Sequence, residues 1–167
     1  MEFRNRLNQK LHEEHCATIA LADRLEQLLA RHARGAAPEI SDRGVVRLLR
    51  DLYTAIESEL TRHFDFEENY LFEYLTAGGE AEIGAHLMDD HRAIRPIGAA
   101  LAKLARGAVA HGFEQETWDE FRRLAGEFCE RIQAHVQKEE TALLPLLDDS
   151  MDADADARLL EEYLAIA

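Results

Sequence analysis

An all-α fold, an up-down-up-down four-helix bundle followed by a short C-terminal fifth helix, is what this sequence predicts, and three observations predict it. Apolar residues recur at three- and four-residue steps through four long stretches. The breaks between them are short, which makes neighbouring helices antiparallel. No stretch alternates as a half-buried strand would.

The first helix carries its stripe on Leu7, Leu11, Ile19, Leu21, Leu25, Leu28 and Leu29, and RGAAPEIS interrupts it. Ser41 is placed to cap the second, whose stripe runs through Val45, Leu48, Leu52, Ile56, Leu60, Phe64 and Leu71 until Ala77-Gly78-Gly79. A third helix spans about residues 81 to 108, with Pro96 inside it as a source of curvature. HGF at 111 to 113 separates it from a fourth, expected to end near Leu147, where Pro145 and DDSMDADAD break the pattern. RLLEEYLAI at 158 to 166 reads as a packing cap. The expected division is therefore a bundle over residues 1–150 and a capping helix over 151–167.

With 167 residues, 47% of them hydrophobic and 31% charged, the chain suits one helical core. Its 19 basic against 33 acidic residues give a net charge of −14, which repels nucleic-acid phosphates and anionic membranes. The start, MEFRNRLNQKL, has no apolar run to serve as a signal peptide, and no run of about 18 apolar residues occurs. A cytoplasmic location without membrane or nucleic-acid partner is expected. Cys16 and Cys129 have no second Cys at metal-binding spacing and read as small buried hydrophobes.

Two segments depart from ordinary helix chemistry. HFDFEENYLF begins at His63, and HVQKEETALL begins 72 positions later at His135, so that His-x-x-x-Glu-Glu occurs twice. A quieter repeat precedes each: Glu14-His15 and Asp90-His91, with apolar residues following at matching offsets. Counted at ~1.5 Å per residue from the loop midpoints, His15, His63, His91 and His135 fall within about one helical turn of a common level. Glu67 and Glu139 share the faces of His63 and His135, four residues on, and both faces border the apolar stripe. Four imidazoles and two carboxylates turned inward carry a large desolvation cost unless something compensates them. A pair of first-row metal ions does so, and imidazole with carboxylate suits Fe, Mn or Zn.

Other residues have plainer readings. His12 lies three before His15 and competes with it as a ligand, His15 being preferred for its match to His91. His86 reads as a surface residue beside Asp90, and His32 and His111 as helix-end residues. Glu68 and Glu140 point about 100° from the ligand face, toward solvent or toward the backs of the ligands. Tyr70 and Tyr74 read as packing.

As a set, EH at 14–15, HFDFEENYLF, DHRAIRPI and HVQKEETALLPLL resemble the hemerythrin-like (HHE) cation-binding domains. The resemblance implies a four-helix bundle around a non-haem di-iron centre, two Fe ions for which Zn or Mn can substitute, with ligands His15, His63, Glu67, His91, His135 and Glu139. Oxygen-carrying members place a fifth His four residues before the third-helix His; Leu87 stands there in this chain. Poor reversible oxygen carriage is the expectation. Three readings of function follow: binding or reaction with O2, peroxide or nitric oxide for sensing or protection; iron handling without catalysis; and ions that only staple the fold. No catalytic residue is assigned, and whether the chain is an enzyme stays open at this point.

Overall fold

The computed structural model describes residues 3–32 and 35–166, and every regular element among them is a helix. Four are long: α1 (Arg6–Arg31), α2 (residues 43–77), α3 (Ala81–His111) and α4 (residues 115–150). A shorter α5 (Ala153–Ala165) follows. Helix α1 packs on α2 and α4, and α3 packs on the same two, so the four close into a square bundle. The three-residue turns at 78–80 and 112–114 rely on Gly79 (φ 92°) and Gly112 (φ 81°), a backbone region that L side chains seldom enter.

Several boundaries differ from the pattern in the sequence. Asp42, not Ser41, caps α2: its carboxylate accepts from the Gly44 N–H at 2.7 Å, while the Ser41 hydroxyl donates to Glu39. Helix α3 continues to His111 and accommodates Pro96 on an exposed position. Pro145 does not end α4, which reaches Ser150. A π-helical turn, Glu139–Leu143, precedes the proline and leaves it in the first turn of a fresh α segment, where its missing N–H costs little. Helix α5 starts five residues earlier than RLLEEYLAI, because Asp152 caps it by accepting from the Ala155 N–H at 2.8 Å.

Buried apolar side chains form two clusters. One, around Leu25, Leu49, Leu101, Trp118 and Phe121, fills the end of the bundle that holds the α1–α2 and α3–α4 connections. The other joins Leu7, Leu71, Leu75, Leu143 and Leu147 to Leu159, Leu160 and Tyr163 of α5 at the opposite end. Between them lies a layer of buried polar residues, His15, His63, Glu67, His91, His135 and Glu139.

Helix α5 also completes α1. Asn5 offers α1 no side-chain cap, and the Asp156 carboxylate instead accepts the N–H groups of Arg6 (3.2 Å) and Leu7 (2.9 Å). Asp148 at the end of α4 does the same for Arg4 and Asn5. The first helix thus borrows its cap from the far end of the chain. No described helix is long and apolar enough to cross a membrane. The expected domain limits at residues 1 and 167 lie outside the described residues.

Candidate metal centre

All six residues expected to bind metal meet in one layer, and the bundle buries them: His15 is 3% exposed, His63 5%, His91 and both glutamates 0%, and His135 1%. Helices α2 and α4 each supply a His and, four residues on, a Glu, while α1 and α3 supply one His each. Glu67 and Glu139 each open a π-helical turn, Glu67–Leu71 and Glu139–Leu143. Such turns insert a residue and re-aim side chains, and they gather at functional sites.

The imidazoles face one another in pairs. His15 Nε2 lies 3.3 Å from His63 Nε2, and His91 Nε2 lies 3.2 Å from His135 Nε2. Each glutamate spans both pairs. Glu67 sets Oε1 3.4 Å from His63 Nε2 and Oε2 3.2 Å from His91 Nε2. Glu139 sets Oε1 3.1 Å from His135 Nε2 and Oε2 2.9 Å from His15 Nε2. These contacts are short enough for ion pairing, yet all four carboxylate oxygens are buried without a hydrogen bond of proper geometry. The imidazole nitrogens and carboxylate oxygens converge on shared space rather than on each other. His15, His63 and Glu139 form one group able to hold a cation, and Glu67, His91, His135 and Glu139 another.

Every imidazole has a carboxylate behind it. His15 Nδ1 donates to Glu140 at 2.6 Å, His63 Nδ1 to Glu14 at 3.1 Å, His91 Nδ1 to Glu68 at 2.9 Å and His135 Nδ1 to Asp90 at 3.4 Å. A carboxylate accepts only, so each Nδ1 carries the proton, and a neutral ring then turns the Nε2 lone pair inward. Facing lone pairs repel unless a cation, a proton or a metal ion, lies between them. The acidic-His and His-x-x-x-Glu-Glu repeats are explained by this network, since each acid adjoining a ligand in sequence holds a ligand on a neighbouring helix.

The same carboxylates shift proton affinities. Burial opposes charge on His15, but Glu139 and Glu140 outweigh it and lift its pKa to about 9. His63 is raised well above its ordinary value, against burial, by Glu67 and Glu14, and His135 is raised by Glu139 in the same way. Burial favours a protonated Glu139, yet His135 and His15 hold it well below the usual carboxylate range. A metal ion bound here competes with these protons.

The remaining histidines stand apart. His12 is half-buried and pairs with Glu140 at 2.9 Å outside the ligand layer, and His86 is exposed. His32 ends α1 with its ring edge-on to Trp118, and His111 is the exposed last residue of α3. Asp90, placed beside His86 from sequence, instead pairs with Lys138 and His135. Leu87, 2% exposed, offers no donor atom. Cys129 is buried as expected, but Cys16 is exposed because it falls on the solvent side of α1. Contributors that the sequence pattern did not single out include Arg95, which donates to Glu68 at 3.0 Å and Asp65 at 2.7 Å, Arg62, which donates to Glu14 at 3.0 Å, and Tyr163, whose hydroxyl donates to Glu14 from α5.

The buried donor set therefore fits a metal-binding protein: uncompensated carboxylate oxygens and facing imidazole nitrogens supply what a cation needs. No curated protein matches the chain. The hemerythrin HHE cation binding domain matches residues 6–147, most of the chain and all six inward residues, and the chain belongs to that family.

Proposed function

We propose that the chain holds two iron ions through His15, His63, Glu67, His91, His135 and Glu139, and that it binds or reacts with O2, peroxide or nitric oxide for sensing or protection. The carrying observation is the set of four buried, unbonded oxygens of Glu67 and Glu139, each beside an Nε2 from a different imidazole. One ion would take His15 and His63, the other His91 and His135, with both glutamates between them. Bound iron supplies one- and two-electron exchange with a small ligand.

The protein's part is positional. Glu14, Glu68, Asp90 and Glu140 fix the tautomers and ring planes of the four histidines. The two apolar clusters cover the layer above and below and strengthen the charge interactions inside it. With Leu87 where a fifth imidazole would stand, bound ions would have one protein ligand fewer than in an oxygen carrier, which favours reaction over reversible oxygen carriage. A net charge of −14 supports a small uncharged ligand over nucleic acid as partner.

Anaerobic loading with Fe(II) and metal analysis test the reading first, and about two ions per chain are expected. One ion per chain, unaltered by His63→Ala or His135→Ala, overturns it. Exposure of the loaded chain to O2, nitric oxide or peroxide, followed by optical spectroscopy, then separates reaction from iron handling. Rapid spectral change is expected; slow, chelator-reversible loss of iron without it favours a storage or donation role.

A further inference from the structure

Beside the candidate metal layer lies a cavity of about 340 Å³, far larger than a diatomic ligand requires. It opens between α1 and α2 with α4 as its floor, and its inner end is made by His15, His63, His135 and Glu139. Away from that end the walls are apolar, with Leu25 from α1, Ile56 and Leu60 from α2, and Phe128 and Ile132 from α4. A water molecule claims about 30 Å³ of liquid, and a diatomic is of similar size, so the space exceeds that need roughly tenfold. Apolar walls hold water poorly, whereas sites of this size with a few polar groups at one end are typical of organic ligands.

The backbone shapes the same space. Of the three π-helical turns among the described residues, two begin on Glu67 and Glu139; the third, Ala55–Leu60, carries no candidate ligand. Its residues Ala55, Ile56, Glu59 and Leu60 all line the cavity. The one π turn not spent on the metal layer thus widens α2 where the cavity lies.

Charge narrows the occupant. Glu13, Glu14 and Glu59 stand at the rim, and the rim cations Lys10 and Arg62 are both engaged by Glu14, at 3.3 and 3.0 Å. An anionic ligand finds no unengaged cation among the described rim residues, while the imidazoles and carboxylate inside suit a hydroxyl or carbonyl group. We propose that this cavity binds an uncharged, largely apolar organic molecule of about ten non-hydrogen atoms, a medium-chain alcohol or aldehyde, with its single oxygen end directed at the His15–His63–Glu139 face. The proposal rests on the metal reading only for what that oxygen end meets.

The test is calorimetric titration of n-alkanols, butanol to dodecanol, into the whole chain with and without Fe(II), metal content being measured on the same samples. Methyl NMR of Ile56 and Ile132 in the metal-free chain locates the site. Affinity is expected to rise about fourfold per methylene, the factor for burying each CH2, and to stop rising near ten non-hydrogen atoms. Thr18→Phe, at the rim, should weaken binding at least tenfold at unchanged metal content. Leu60→Ala, which enlarges the space, should move the length limit upward, and it carries the test if the Thr18 variant does not fold. Iron-loaded chain that binds no alkanol, or binds it without dependence on length and on both substitutions, overturns the proposal and leaves a passage for diatomics only. Alkanol binding by a chain that takes up no metal overturns the metal reading and leaves the cavity standing.

Discussion

The two halves of the polar layer are built from one repeated pattern, yet they are finished differently. In the His91–His135 half the His91 ring is sealed, and His135 is the imidazole that reaches the cavity. Phe64 stacks on the His91 ring at 3.7 Å between centroids, Phe72 lies 5.6 Å away, and Leu87 is buried four residues before it. Glu68, behind His91, is fixed by Arg95, which Asp65 also holds. The His15–His63 half instead faces the cavity, and its acid, Glu14, is held by Arg62 and by Tyr163 from α5. Burial and the Glu14 contacts act against each other there: burial favours the neutral acid, but His63 and Tyr163 outweigh it and bring Glu14 to about 2. Similar ligands can thus be given unlike access, because the residues beside the repeat, not within it, decide what stands against each ring.

Glu67 and Glu139 serve both halves, so their loss has the largest expected effect. Glu67→Ala and Glu139→Ala each leave buried imidazoles uncompensated, and each should cost about 3–5 kcal/mol of stability, read by denaturant unfolding, together with metal affinity. Glu68→Ala should do much less to stability; if it matches Glu67→Ala, the assignment of inward and outward acids is wrong.

Substitutions behind the rings separate the halves. Glu14→Gln should weaken metal at His15 and His63, and Glu68→Gln metal at His91 and His135, each by roughly 10–100-fold. A chelator-competition titration in two steps should show one step moving in each variant. Both steps moving together in either variant would mean that the halves are a single unit.

A smaller effect tests α5. Tyr163→Phe keeps a ring that is 1% exposed and removes only the hydroxyl, which donates to Glu14 and accepts from Arg62 at 3.2 Å. A loss of roughly 1.5 kcal/mol is expected, the low end for a hydrogen bond to a charged group, with the His15–His63 step of the metal titration shifted and the other unmoved. No change in either would make α5 a packing element alone.

Cys16, on the solvent side of α1, and Cys129, on α4 against α1, report exposure outside and inside the seam between those helices. Burial pushes the Cys129 thiol up to about 12, so at pH 8 almost none of it is thiolate, while Cys16 is exposed. Iodoacetamide should label Cys16 alone in the folded chain and both residues in denaturant, as mass spectrometry will show. Labelling of Cys129 under native conditions would mean that α1 opens from α4 far more often than a packed seam allows.

Much of this was present in the chain as written. The 3.6-residue spacing of apolar side chains specifies four helices, and short breaks force them antiparallel, so His15, His63, His91 and His135 must arrive at one level. A four-residue step then puts Glu67 and Glu139 on the ligand face. Such relations are local: they depend on rise and rotation along a single helix, which sequence fixes. What stands behind each ligand is not local. Glu14 meets His63, Glu140 meets His15, and Asp156 caps α1 only because separate helices pack at a particular distance and rotation. No periodicity announces that Tyr163 reaches Glu14 across 149 positions. The cavity belongs to the same class, since it is space left where α1, α2 and α4 fail to fill one another, and side-chain volumes reveal that only after the helices are docked.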